Sequence, residues 1–168
     1  GRDRSIHLGD RREIDGPGPD RVGMFQDPAL FPWLSVEQNV GFPLERSALG
    51  TVERAERVHE ALRVVHLYKF RNAQPHELSG GMRARAAIAR ALVMEPRAML
   101  MDEPFAALDA QTRELLQTEI ERVWQRTKAT MVFVTHDNRE AVRLATRVVV
   151  MGTRPGSVKL ELDVEEDL

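Results

Sequence analysis

Apolar residues recur along this chain in two rhythms, short uninterrupted runs and a helical spacing, and the two alternate. Residues 22–25 form a short apolar run that predicts a strand, and the segment after it holds Pro28 and Pro32 and so predicts a loop. Val52, Ala55, Val58, Ala61, Leu62 and Val65 fall at the spacing of one helix face, and Pro75 then breaks the chain. A second helix is expected from about Gly81 through Leu92. Residues 97–101 form an apolar run that stops at Asp102-Glu103-Pro104, which predicts a buried strand delivering two carboxylates. Asp109 is placed to N-cap the next helix, whose Leu115, Leu116, Ile120, Val123 and Trp124 form one stripe. Residues 131–134 repeat the buried-strand pattern and end at Thr135-His136-Asp137. A helix over 138–145, a strand over 148–151, a Pro155-Gly156 turn and an alternating strand over 158–164 complete the series. At the other end, the run 5–8 before Gly9-Asp10 reads as the end of a strand and a hairpin turn, the torn edge of a sheet.

Buried strands alternating with amphipathic helices imply an α/β fold with a mainly parallel sheet, and such sheets bind ligands at the carboxyl ends of their strands. Gln26, Asp102, Glu103 and His136 each lie within about two residues of such an end. Four polar residues that merely terminate strands would explain that placement poorly. The length, 168 residues, suits one domain. The net charge of −2 gives no general electrostatic reason to bind nucleic acid or an anionic membrane. No apolar stretch is long enough to span a bilayer, so a soluble compartment is expected. With no cysteine, disulfides, thiolate nucleophiles and thiolate metal ligands are excluded.

Leu78-Ser79-Gly80-Gly81-Met82 runs into the helix that contains Arg83, Arg85 and Arg90. A hydroxyl and two glycines at a helix start let bare N–H groups approach a phosphate, although a plain Ser/Gly helix start reads the same way in isolation. Taken with Ala87-Ile88-Ala89-Arg90-Ala91-Leu92, Leu100-Met101-Asp102-Glu103-Pro104, Ala107-Leu108-Asp109 and Val134-Thr135-His136-Asp137, the segment strongly resembles the ABC ATPase family in both order and spacing. The resemblance implies a P-loop NTPase fold of the ABC type with a helical subdomain, using ATP and Mg²⁺. It implies that Asp102 is the Walker B aspartate holding Mg²⁺ and that Glu103 is the catalytic glutamate that polarises the attacking water. It makes His136 the switch histidine on the γ-phosphate and Gln26 the loop glutamine that senses Mg²⁺. Ser79, Gly80 and Gly81 would form the signature loop that closes over nucleotide held by the opposite subunit, which requires a homodimer. Asp109 would lie in the loop that crosses that interface, and serve equally as a helix cap. Met82 and Ala84 depart from the family pattern, where glutamine and a polar residue are usual, without touching the phosphate-facing positions.

The phosphate-binding loop needs Gly-Lys followed by Ser or Thr. The lysines here follow Tyr68, Thr127 and Val158, so no Gly-Lys pair occurs. The resemblance therefore implies that this loop and its strand precede Gly1, and that the chain as it stands is poorly stable and inactive alone. Residues 1–25 would be the remnant of an N-terminal β subdomain. Residues 26–92 would carry the glutamine loop, helical subdomain and signature helix, and 93–168 the Walker B, interface-loop and histidine-loop part of the core.

Gly16-Pro17-Gly18-Pro19-Asp20-Arg21, Leu30-Phe31-Pro32-Trp33-Leu34, Pro104-Phe105 and Ala110-Gln111-Thr112-Arg113 resemble the nitrate, sulfonate and taurine importer branch. That implies transmembrane permease partners, a substrate-binding protein acting indirectly, and a peripheral place on the cytoplasmic face of the membrane. Trp33 either belongs to an exposed patch that meets the permease or packs inside the helical subdomain. Two other readings stand beside the importer ATPase: a non-catalytic subunit or remnant without the P-loop, and a soluble ABC ATPase of DNA repair or translation. The basic residues of the signature helix read more simply as one solvated helix face than as a nucleic-acid contact.

Overall fold

A computed structural model describes residue 18 and residues 20–25, 29–152 and 156–164. The expected hairpin at residues 5–10, the Gln26-Asp27-Pro28 segment and Pro155 lie outside the described residues.

Three strands, β1 (Arg21–Met24), β2 (Ala98–Asp102) and β3 (Thr130–Val134), form a parallel sheet with β2 in the centre. Register runs from Arg21 opposite Ala98 to Met24 opposite Met101, and from Ala98 opposite Thr130 to Asp102 opposite Val134. The pleat puts Met99 and Met101 on one face, both buried, and Leu100 on the other. Leu100, Val132 and Val134 share that second face and are 47%, 49% and 49% exposed. The expectation of a fully buried third strand is therefore corrected: β3 alternates, with the helices covering one side of it among the described residues.

Five α-helices among the described residues follow from their sequences. α1 (Val36–Gly41) begins at Ser35, whose hydroxyl accepts from the Gln38 amide while the Gln38 side chain accepts from the Ser35 amide. The sequence reading did not single out this short helix, although Ser35 and Gln38 carry its start signal. A 3-10 segment, Phe42–Arg46, continues from it. α2 (Thr51–Val64) buries Val58, Ala61 and Leu62. Val52 and Ala55 of the expected stripe are exposed instead, because the helix enters from solvent and meets the core a turn later.

α3 (Gly80–Leu92) is the central helix, with Ala86, Ala87, Ile88, Ala89, Ala91 and Leu92 all buried. Its four buried alanines let α1, α2 and β1 approach its backbone closely, and each helix or strand then needs little side chain to fill the gap. α4 (Ala110–Thr127) buries Leu116 and Ile120, with Val123 partly covered, but leaves Leu115 exposed at the edge of the stripe. Lys128 stops it in the left-handed conformation (φ 53°), its ammonium 4.6 Å from the Trp124 ring centroid. α5 (Asn138–Leu144) is capped by Asp137.

The core runs unbroken from Val36, Val40, Leu62 and Leu67 through Ile88 to Met101, Phe105, Leu116 and Ile120. The helical segment and the sheet are thus joined by shared apolar packing, each fully buried large side chain contributing about 1.5–3 kcal/mol. β4 (Arg147–Met151) and β5 (Val158–Asp163) pair antiparallel as a separate two-stranded sheet. The parallel reading of the fold therefore holds for β1–β3 and not for this hairpin. Among the described residues no helix is long and apolar enough to cross a membrane.

Candidate functional site

Asp102 ends β2, Glu103 follows it, and His136 comes two residues after β3. Because β2 and β3 are parallel and in register, their carboxyl ends lie side by side, which brings these three residues together at one rim. Glu103 takes a left-handed backbone (φ 46°), and its amide donates to the Val134 carbonyl at 2.8 Å. That conformation costs a non-glycine residue about 1 kcal/mol or more, and the bond to β3 helps hold it. The result aims the Glu103 carboxylate across to the next strand. Its Oε1 accepts from His136 Nδ1 at 2.9 Å. An ionised carboxylate only accepts, so Nδ1 carries the proton and Nε2 is left facing outward on a side chain 80% exposed.

The hydrogen bond to Glu103, and then that carboxylate's charge, raise the His136 pKa above its ordinary value, with Asp137 and Glu140 adding smaller contributions. Asp137 accepts from the amides of Arg139 and Glu140, and these two bonds hold its carboxyl below the usual range. Beneath His136, the Thr135 hydroxyl donates to buried Glu140, whose other oxygen accepts from Gln117 at 3.3 Å. This network ties the strand end that carries His136 to α4 and α5, and nothing in the sequence pattern signalled it.

Asp102 is half-buried on the open face of the sheet, and its carboxylate has no ion-pair partner among the described residues. One free carboxylate at a strand end suits a hard divalent cation that keeps several waters and takes its other ligands from a phosphate. No group of three or more metal-ligating side chains occurs among the described residues. Gln26, expected as a further ligand, lies outside them.

The Ser79-Gly80-Gly81 segment forms a second group at the start of α3. Ser79 is the N-cap, its hydroxyl accepting from the Met82 amide at 3.2 Å. A Cβ on Gly81 would lie 3.3 Å from both the Ala107 carbonyl oxygen and Leu108, so the loop after Glu103 approaches this glycine closely enough that a side chain would press on it. A Cβ on Gly80 would meet nothing nearer than an Arg83 nitrogen at 4.0 Å. Asp109 is the N-cap of α4, accepting from the Thr112 amide at 3.0 Å, and its bonds to Thr112 depress its pKa. Its cap role is direct.

The three arginines of α3 are not a solvated face. Arg83 donates to the Leu78 carbonyl at 2.6 Å, Arg85 to the Val65 carbonyl at 3.0 Å, and Arg90 to the Ala29 carbonyl at 3.0 Å. Each guanidinium satisfies a carbonyl that a loop or helix end leaves unpaired. Trp33 is 72% exposed and packs in no core. It lies 5.6 Å from the Phe31 ring, which is itself 4.6 Å from Phe42, forming an aromatic patch on the surface. Behind the patch, buried Asn39 accepts from the Phe31 amide at 2.8 Å and donates to the carbonyls of Phe31, Leu34 and Ser35.

A parallel sheet with two consecutive carboxylates at one strand end, a histidine bonded to the second, and a Ser-Gly-Gly helix start packed on the following loop form an α/β core of the P-loop NTPase type. Residues 10–106 match the family model of the ABC transporter, more than half of the chain, and the chain belongs to that family. It is 46% identical over 155 residues to the nitrate import ATP-binding protein NrtD of Synechocystis sp., covering 92% of this chain and 58% of that protein. It is 46% identical over 153 residues to the taurine import ATP-binding protein TauB of Sinorhizobium fredii, covering 91% and 57%. The ATP-binding cassette MJ0796, solved as a dimer in a post-hydrolysis state with ADP and Pi, superposes with a TM-score of 0.83 at 31% identity, over 96% of this chain and 73% of that one. The chain thus spans a little under three fifths of the length of these curated relatives.

Proposed function

We propose that this chain is part of the ATP-hydrolysing subunit of an importer for a small anion such as nitrate, a sulfonate or taurine. The observation that carries the reading is the Glu103–His136 pair: a carboxylate fixed by a left-handed backbone and hydrogen-bonded at 2.9 Å to a histidine whose other nitrogen is open. Glu103 is the base that orients the attacking water, since phosphoryl transfer asks of the protein mainly positioning and charge stabilisation. His136 holds Glu103 in place through Nδ1 and presents Nε2–H to the γ-phosphate. Asp102 holds Mg²⁺, which when bound neutralises charge on the phosphate oxygens. Gln26 serves the same metal and water.

Ser79, Gly80 and Gly81 contact nucleotide held by a second copy of the subunit, and Asp109 lies at that interface. The exposed Phe31–Trp33–Phe42 patch meets the transmembrane permease, which places the subunit on the cytoplasmic face of the membrane. Similarity to the nitrate and taurine import proteins supports the substrate class. This reading requires a Gly-Lys-Ser/Thr sequence in the full-length polypeptide, which reading its coding sequence tests.

The test is ATP turnover by the full-length protein and its Glu103→Gln variant. Turnover should fall by about 10²–10⁴-fold while ATP binding is retained. Turnover that does not depend on Glu103 refutes the assignment.

A further inference from the structure

The loop that carries the aromatic patch is held from two sides by side chains of two different helices. Asn39 of α1 takes both the amide and the carbonyl of Phe31 and the carbonyl of Leu34. From α3, Arg90 donates Nη1 to the Ala29 carbonyl at 3.0 Å, across 61 residues of sequence. The same guanidinium sits 6.0 Å from the Phe31 ring centroid. Ala29 has φ 40°, an uncommon value for alanine, at the residue whose carbonyl Arg90 takes. A planar guanidinium can donate in its plane and stack with its face, so arginine suits a joint that must hold a carbonyl and an aromatic ring together. Burial depresses the Arg90 pKa, as expected for a cation drawn off solvent to make this contact.

We propose that Arg90 is a positioning residue that ties residues 29–31 to the helix beginning at Ser79-Gly80-Gly81, so that the aromatic patch and the signature loop move as one body. Its consequence for turnover rests on the importer reading above; the tie itself does not. Displacement of the patch by a partner is then passed along α3, whose second half is buried in the core, to the glycines at its start.

Two measurements on the full-length protein test this. With the permease assembled in nanodiscs, Arg90→Ala should lower substrate-stimulated kcat about tenfold, the loss of one charge-assisted hydrogen bond, with KM for ATP unchanged. Arg90→Lys, which keeps the charge but lacks the fork, should recover part of that loss. Full stimulation in Arg90→Ala overturns the proposal, as does a proportional loss of nucleotide binding and melting temperature, which would mark a merely structural role. If the wild-type complex hydrolyses no ATP, the importer reading fails and the tie is read by hydrogen exchange alone. In Arg90→Lys the Phe31 and Leu34 amides should exchange faster than in the wild type while those of Ala61 and Leu62 do not change. Unaltered exchange at Phe31 and Leu34 overturns the tie.

Discussion

His136 Nδ1 and Glu103 Oε1 lie 2.9 Å apart although 33 residues separate them in the chain. The contact favours the charged imidazolium, so the His136 pKa is raised in the folded protein. A raised histidine pKa contributes stability that is fully present below the unfolded value of about 6.5 and is lost as pH rises through the folded value. An NMR titration of His136 should have its midpoint above about 6.5, moving down in Glu103→Gln. A midpoint indifferent to that substitution means the pair does not form in solution.

The two signature glycines should answer differently to alanine. At Gly80 the new methyl meets open space, whereas at Gly81 it lies 3.3 Å from the Ala107 carbonyl oxygen and from Leu108. Alanine is otherwise the better helix residue, by up to about 1 kcal/mol. Chemical denaturation of the full-length protein should find Gly81→Ala less stable than Gly80→Ala by about 1–3 kcal/mol, the usual cost of overpacking. Equal stabilities would mean that α3 and the loop after Glu103 separate freely.

Asn39 is fully buried and all its polar atoms are engaged. Asn39→Leu keeps the branched shape, with somewhat larger volume, but removes the partners of several backbone groups. Leaving such groups unsatisfied costs about 1–3 kcal/mol. The denaturation midpoint should drop accordingly, and protease cleavage near Trp33 should accelerate. An unshifted midpoint would show that water replaces the side chain.

Ser35→Ala removes half of the capping box at α1 and should destabilise by about 1 kcal/mol. Gln38→Ala, tested beside it, should cost less than Ser35→Ala because its bond to the Ser35 amide lies outside the helix proper. The reverse ranking would place the stabilisation in that second bond.

Much of this was legible in the one-dimensional pattern. The strand ending at Asp102, the cap at Asp109, the helix started by Ser79 and the strand before His136 all follow from local rules: an apolar run, a short polar acceptor, a period of 3.6. So does the family, because its motifs are contiguous. The exceptions mark where neighbours decide. Val52 and Leu115 keep helical spacing yet stay exposed, since a helix's period fixes which residues share a face but not how much of that face is covered. Val132 and Val134 read as buried and are half exposed for the same reason.

Tertiary structure alone decided the rest. Arg83, Arg85 and Arg90 look like charge on a surface helix until the carbonyls of Leu78, Val65 and Ala29 are brought to them. Asn39 gives no sign of its role, because the backbone groups it satisfies come from a loop without regular hydrogen bonding. The Glu103–His136 contact exists because β2 and β3 pair in parallel with Asp102 opposite Val134. The sequence by itself determined which segments form strands and helices and which chemical groups stand at their ends, because those depend on neighbours a few residues away. Which of these groups meet, which are covered and which are left open was set by packing between segments tens of residues apart, whose register no local pattern encodes.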